Sequence, residues 1–499
     1  MFTESLRATL LGSGAAAAMM AGQAFAGQAD DLQAEVDSLR GQLDQLEKQK
    51  AAAQLPPAAA PADAVVGGDF PGSWKLPGSD TSMAIHGYIK ADFIYDFNSN
   101  LGDSFAATTI AGNHSAAANQ GGNFHFQSRQ SRINFETRTP TDWGMLKTFL
   151  EMDFYGSLPN TNYTVGGGGN TSNPLRMRHA YGQLGPVLAG QTWSNFADIE
   201  DFAEELDFNG GQGESQARQT QVRYTLPFGK WIFSTSAENA NGRISSIAPV
   251  TNDTIATTAG TPVGNQTELM PDLTARAQYV DSWGHVSLSG VFRDFNYDNG
   301  GNPGNSSTVA SEAATVHHTA NSFGGGVMLG GNFAVGQAIG GLFAKDRVGF
   351  AANWGPGIER YYDFGSLNPL QDAVAVAGPG GSISLKVVTH EGGNVWLQHW
   401  WTDSVRTNLV YGVSWWGYPG SVPRVADTGV PATSQIAKLQ TAYANLIWSP
   451  VKSVNIGLEF MYGDLDKRRL LAPGPCGISQ CGGNSGEDKR LMASLQYLF

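Results

Sequence analysis

The chain has 499 residues, a net charge of -13, only 15% charged residues, and a heavy load of 63 Gly, 25 Phe, 15 Tyr and 12 Trp. The acidity argues against a nucleic-acid partner, and after the N-terminal segment no run of about 18 apolar residues occurs, which excludes helical membrane spans. Abundant glycine and aromatics with slightly negative mean hydropathy instead fit a closed barrel in lipid, whose alternating faces dilute hydrophobicity and whose outer wall carries aromatic girdles.

Residues 1–26 read as an export signal: Arg7 supplies a positive charge, Ala8 to Met20 an apolar stretch, and Ala24-Phe25-Ala26 a small-residue cleavage site. In residues 27–50, Leu32, Val36, Leu39, Leu43 and Leu46 fall at alternating four- and three-residue steps, a heptad seam that predicts an α-helical coiled coil. A helix this short is marginal alone, so the seam points to an oligomer, with three strands the preferred number. A solvated single helix is the alternative, and Gly41 weakens either. Residues 51–80, opening "AAAQLPPAAAPADA", are an Ala/Pro-rich linker.

Residues 81–499 turn to short alternating segments joined by turns, the pattern of an all-β transmembrane barrel of antiparallel strands. The segments are Ile85–Phe97, Asn123–Arg138, Met145–Tyr155, Leu175–Leu184, Val187–Trp193, Ala217–Leu226, Trp231–Asn239, Leu273–Val280, His285–Tyr297, Phe323–Phe343, Val348–Arg360, Val395–Trp401, Thr407–Trp415, Ile436–Trp448, Val454–Gly463 and Lys489–Phe499, sixteen in all. Short connections such as "TPTDWG", "PFGK" and "DSWG" alternate with long ones such as 98–122, 239–271 and 464–488, as short periplasmic turns alternate with long outer loops in outer-membrane barrels. In the last segment Leu491, Leu495, Tyr497 and Phe499 share one face. A strand ending on an aromatic with no polar tail must close the barrel against the first.

That ending resembles the terminal signature of outer-membrane barrels, with Tyr497 and Phe499 as the assembly signal read by the insertion machinery. The stretches "FQSRQSRINFETRT" (Phe126 to Thr139), "RHAYGQL" and "LAGQTWSNF" (Arg178 to Phe196), "WGPGIERYY" (Trp354 to Tyr362), "QHWWTDSVRTNLVYG" (Gln398 to Gly412) and "ANLIWSPVKSVNIGLEFMYG" (Ala444 to Gly463) resemble the dicarboxylic-acid porin family, the trimeric DcaP-like porins. The resemblance implies a 16-stranded barrel in the outer membrane of a Gram-negative bacterium, assembled as a homotrimer. Each subunit would have its own channel for small, often anionic, solutes such as dicarboxylates, with the N-terminal coil in the periplasm.

Selectivity in such a pore rests on charged side chains at a constriction. Ile133 and Phe135 take the lipid face, so Arg132 and Arg138 point inward; Leu175 and Met177 do the same for Arg176 and Arg178, and Val222 and Tyr224 for Arg223. Arg129 has the other parity, and a bulge between it and Arg132 would bring both inside. These six are the candidate basic lining, suited to carboxylates by their two-pronged donors; the alternative is that they neutralise wall carboxylates such as Glu136, Glu151 and Asp153. After the fifth segment Asp198, Glu200, Asp201, Glu204, Glu205 and Asp207 put six acids in ten residues. They either fold inward as a constriction loop facing the arginines, setting a transverse field, or face external water.

Cys476 and Cys481, with four residues between them in "PCGISQC", lack zinc or redox spacing. Export favours a small loop disulfide over free thiols. His179, with lipid parity, and His399 beside Trp400 and Trp401 read as contact or girdle residues. No metal site, cofactor or catalytic constellation emerges: none of the nine His accompanies a nucleophile motif. The readings are a passive anion-preferring porin, a general or cation-preferring porin with an acidic constriction loop, and a structural protein tethered to peptidoglycan through its coil.

Overall fold

A computed structural model describes residues 66–156, 174–207, 209–247, 265–298, 319–362, 371–377, 382–422, 435–468 and 484–499. The chain divides into two units, 1–66 and 67–499. The signal peptide, the coiled coil, the start of the linker and the Cys476–Cys481 disulfide lie outside the described residues.

Sixteen antiparallel strands form the barrel wall of the second unit: β1 (Ser82–Asp96), β2 (Asn123–Gln127 resuming as Arg132–Thr141), β3 (Gly144–Asp153), β4 (Arg176–Leu184), β5 (Val187–Trp193), β6 (Arg218–Phe228), β7 (Trp231–Glu238), β8 (Asp272–Asp281), β9 (Gly284–Asp298), β10 (Thr319–Phe333), β11 (Arg347–Pro356), β12 (Thr389–Trp400), β13 (Val405–Gly417), β14 (Ile436–Val451), β15 (Val454–Lys467) and β16 (Ser485–Leu498). Each pairs with its neighbour in the chain, and β16 pairs with β1 from Tyr88↔Leu498 to Asp96↔Arg490, closing the cylinder. Closure leaves no sheet edge, so every backbone group in the wall has a partner without water.

Alternation decides which side chains look out. Leu150, Met177, Val222, Leu329, Leu409 and Leu458 are all exposed on the outer face, a continuous apolar surface that only lipid can cover. At the short-turn end an aromatic belt runs through Phe233, Trp231, Tyr279, Trp283, Phe333 and Phe350, with successive ring centroids 5.1 to 6.1 Å apart. His399 lies in the same belt, bonded to Asp346 at 2.8 Å and edge-on to Trp401 at 4.4 Å.

Two expected segments overrun their strands. β10 stops at Phe333 and gives way to a helical turn, Gly336–Ile339, ended by Gly340 at a φ of 73°; alanine and glycine there carry too little polarity contrast to mark the change of period. β11 stops at Pro356, where the ring removes a ladder donor. Residues 67–80, expected as the tail of the linker, fold back so that Trp74 and Lys75 pair with Met83 and Ser82. They cover the part of β1 that projects beyond the end of β16.

Wall height is uneven, 7 residues in β5 against 16 in β14, so the β5–β6 connection leaves the wall part-way up and turns inward. Phe499 is tied to Gly87 by two backbone hydrogen bonds of 3.1 Å while its ring is exposed to the lipid side. Deleting Phe499 is expected to cut the yield of heat-modifiable barrel severely, although an interfacial position is worth only about 1 kcal/mol in folding. The loss would then reflect insertion, and a normal heat-modifiable band would reject the assembly role.

Candidate functional site

The basic lining starts from two local irregularities. On β2, Gln127 pairs with Asp92 and Arg132 with Tyr88, so β2 holds one residue more than the stretch of β1 it faces. This bulge resets the parity and puts both Arg129 and Arg132 on the lumen. On β4 the pairing jumps from Met152↔Met177 to Glu151↔His179, and the extra residue turns Arg178 and His179 inward together. His179 is therefore buried in the lumen, 3.0 Å from the Thr192 hydroxyl, and its assignment to the lipid face is corrected by a bulge that leaves no mark in hydropathy.

Most of these arginines are tied to carboxylates. Arg129 reaches Asp103 at 2.6 Å, Arg132 reaches Glu151 at 3.5 Å, and Arg176 grips Asp153 with two nitrogens at 2.9 and 2.6 Å. Arg178 bridges Glu151 at 2.8 Å and Asp153 at 3.3 Å. Arg138 stands apart near the short-turn end, paired with Glu136 at 2.6 Å and lying 4.3 Å over Phe70.

The β5–β6 connection, described over residues 194–207 and 209–217, runs along the inside of the opposite wall. Ser289 donates to the Phe196 carbonyl at 2.7 Å, Asn445 to the Glu204 carbonyl at 2.8 Å, and Asn353 to the Gly213 carbonyl at 2.9 Å. The Leu206 and Asp207 amides donate to Glu459 at 2.9 and 3.0 Å. Of its acids, Asp198 is buried against Arg276 at 2.8 Å and His285 at 2.9 Å. Burial pushes the Asp198 carboxyl up, but those partners and Ser287 outweigh it and hold it below the usual range. Glu200 is exposed and accepts from Gln278 at 2.8 Å. Asp201 is 1% exposed, and burial, helped by Glu214 and Asp198, pushes its carboxyl up to about 9. Glu204 pairs with Arg406, while Glu205, Asp207 and Glu214 are raised by burial, Asp207 against the pull of Arg490.

Between wall and loop lies a cavity of about 850 Å³, lined on one side by Arg129, Arg132, Arg176, Arg178 and Arg218 and on the other by Glu204, Glu205, Asp207 and Glu214. A second space of about 370 Å³ toward the short-turn end holds Arg223, Arg276 and His179. Arg132, Arg178 and Trp193 line both, so they form the neck between them. Several basic residues turned inward were missed from sequence. Lys90 (2.8 Å from Asp92), Arg276, Arg406 and Arg490 have inward parity in their strands, a signal that was available. Arg218 shares the parity of outward Val222 and gave none.

A family model described as a porin subfamily matches residues 71–481. The chain is 23% identical over 220 residues to the porin Omp2b of Brucella abortus, covering 44% of this chain and 53% of that one. To Omp2b of Brucella suis it is 25% identical over 221 residues, covering 44% and 54%; the chain spans about half the length of the curated relatives it matches. Among solved structures, the outer membrane channel DcaP of Acinetobacter baumannii shares the fold with a TM-score of 0.61 at 20% identity, covering 87% of this chain and 100% of that one.

Proposed function

This chain belongs to the porin subfamily, and from that premise we propose that it is an outer-membrane porin giving passive diffusion of small hydrophilic solutes, anions such as dicarboxylates by preference. The family is one of channels and not enzymes. The observation that carries the reading is the cavity of about 850 Å³ between the arginine wall and the inward loop. Arginine stays charged at any physiological pH, whereas burial favours the protonated form of Asp201, Glu205 and Glu214. The loop is thus less negative than its six acids suggest, and local charge in a narrow path outweighs distant surface charge beyond a Debye length of about 8 Å.

The second reading, a cation-preferring porin, draws on Glu204 and Asp207, which line the same cavity. The reversal potential in a salt gradient separates the two. Anion preference is expected for the native chain, shifting toward cations when Arg132 and Arg178 are both replaced by alanine, because Glu151 then loses both arginines that hold it at the neck. A cation-selective native channel, unmoved by that change, rejects the anion path.

A homotrimer and a periplasmic coil able to hold the cell wall belong to the same proposal, supported by the heptad seam and the sequence resemblance. The mass of the detergent-solubilised assembly checks the first, with three chains expected.

A further inference from the structure

Arginines expected on the lumen from strand parity and the bulge are engaged: Arg176 by Asp153, Arg178 by Glu151 and Asp153, and Arg129 by Asp103. A solute anion reaching any of them must compete with a carboxylate already in place. Arg218 differs. It opens β6 directly after the inward loop, paired across the sheet with Trp193, and its guanidinium lies 4.6 Å over the Trp193 ring. Among the described residues no carboxylate reaches salt-bridge distance of it, and its side chain makes no hydrogen bond.

We infer that Arg218, laid on Trp193, is the anion-contacting subsite of the channel, a specificity-determining residue that receives a carboxylate of the solute in the larger cavity before it passes the neck. The inference rests on the porin reading and deepens it. Contact with the ring limits the movement of the guanidinium, and a side chain that lines the cavity without a protein acceptor keeps its N–H donors for a solute. A carboxylate landing there makes two parallel hydrogen bonds at little further cost in side-chain freedom. It needs to displace only water. Trp193 also lines the neck beside Arg132 and Arg178, so the subsite lies on the route and not in a side pocket.

The test is planar-bilayer recording of the full chain with succinate as blocker, comparing native protein with Arg218→Gln, Arg218→Lys and, as a control in the same cavity, Arg176→Gln. Both glutamine variants remove one charge and should shift the reversal potential alike. Block should weaken about tenfold or more in Arg218→Gln, the loss of a charge-assisted contact, and by less than about threefold in Arg176→Gln, whose guanidinium already serves Asp153. Arg218→Lys keeps a charge but loses the fork and the stacking. Its block should fall with that of Arg218→Gln while its reversal potential moves less, a split that general loss of structure cannot produce. Equal block in native, Arg218→Gln and Arg218→Lys channels, or an equal loss in Arg176→Gln, overturns the subsite while leaving an anion-preferring porin standing. A native channel that succinate does not block overturns both.

Discussion

Replacing Gly412 by valine should lower single-channel conductance while leaving the barrel assembled. Gly412 lies on the inward face of β13, where the loop presses hardest on the wall: a Cβ there would sit 2.0 Å from the Gln212 carbonyl oxygen and 2.6 Å from its amide nitrogen. Both obstacles are backbone, so no rotamer change relieves them. The contact continues on either side, with Gly211 against Val410 and Gly213, at a φ of 87°, against the backbone of Gly393. A side chain at 412 must lift this stretch toward the arginine wall. Lifting breaks the bonds from the Gln212 amide to Thr441 at 3.0 Å and from its side chain to Ser414 at 3.1 Å, each worth about 1 kcal/mol. Gln212 and Glu214 line the cavity, so the displacement narrows the path, and conductance should fall by about twofold or more with altered ion preference. The sixteen-strand ladder is untouched, so heat-modifiability serves as the control for assembly. Unchanged conductance and reversal potential in Gly412→Val would mean the loop is not what limits the lumen.

The same residues explain why the strands were readable and the loop's seat was not. Outward positions must be apolar in lipid, so Ile133, Met177 and Val222 fix the parity of Arg132, Arg176 and Arg223 without knowledge of the fold. Inward positions carry no such rule. Ile94, Trp396, Val410, Met461 and Met492 face in yet are buried and apolar, because Leu101, Phe105 and Ile110 of the first loop and Leu206 of the inward loop cover them. A sequence shows that cover only once register is known. Single-residue bulges are the other blind spot: the one at Arg178 reverses His179, whereas the one beside Arg129 was legible because Phe124 and Phe126 stand out of phase with Ile133. Arg218 failed for a third reason, since the first residue of a strand takes its direction from the loop that delivers it and not from the pleat.

Raising the pH should weaken the seat of the inward loop and reduce anion preference, with Asp201 as the main sensor. Its carboxyl is buried where the loop crosses β11 and β12, its own carbonyl accepting from the Trp396 indole. Burial first, then the charges of Glu214 and Asp198, push its pKa up to about 9. The seated loop keeps the proton over a range in which a released loop, with an ordinary carboxyl near about pH 3.9, has lost it. Seating is therefore fully stable at acid pH, weakens by about 1.4 kcal/mol per pH unit through the interval between the two values, and loses nothing further above the upper one. Glu205 and Glu214, also raised by burial, act in the same direction. Arginines of the wall do not titrate in this window. Between about pH 6 and about pH 9.5, below the ordinary lysine range, the reversal potential should move toward cations and current noise should rise as the loop leaves its seat. Asp201→Asn carries a neutral group of the same shape at every pH, and its channel should keep its acid-side noise and much of its anion preference at alkaline pH. Superimposable pH profiles for the native and Asp201→Asn channels would show that this buried acid does not control the loop.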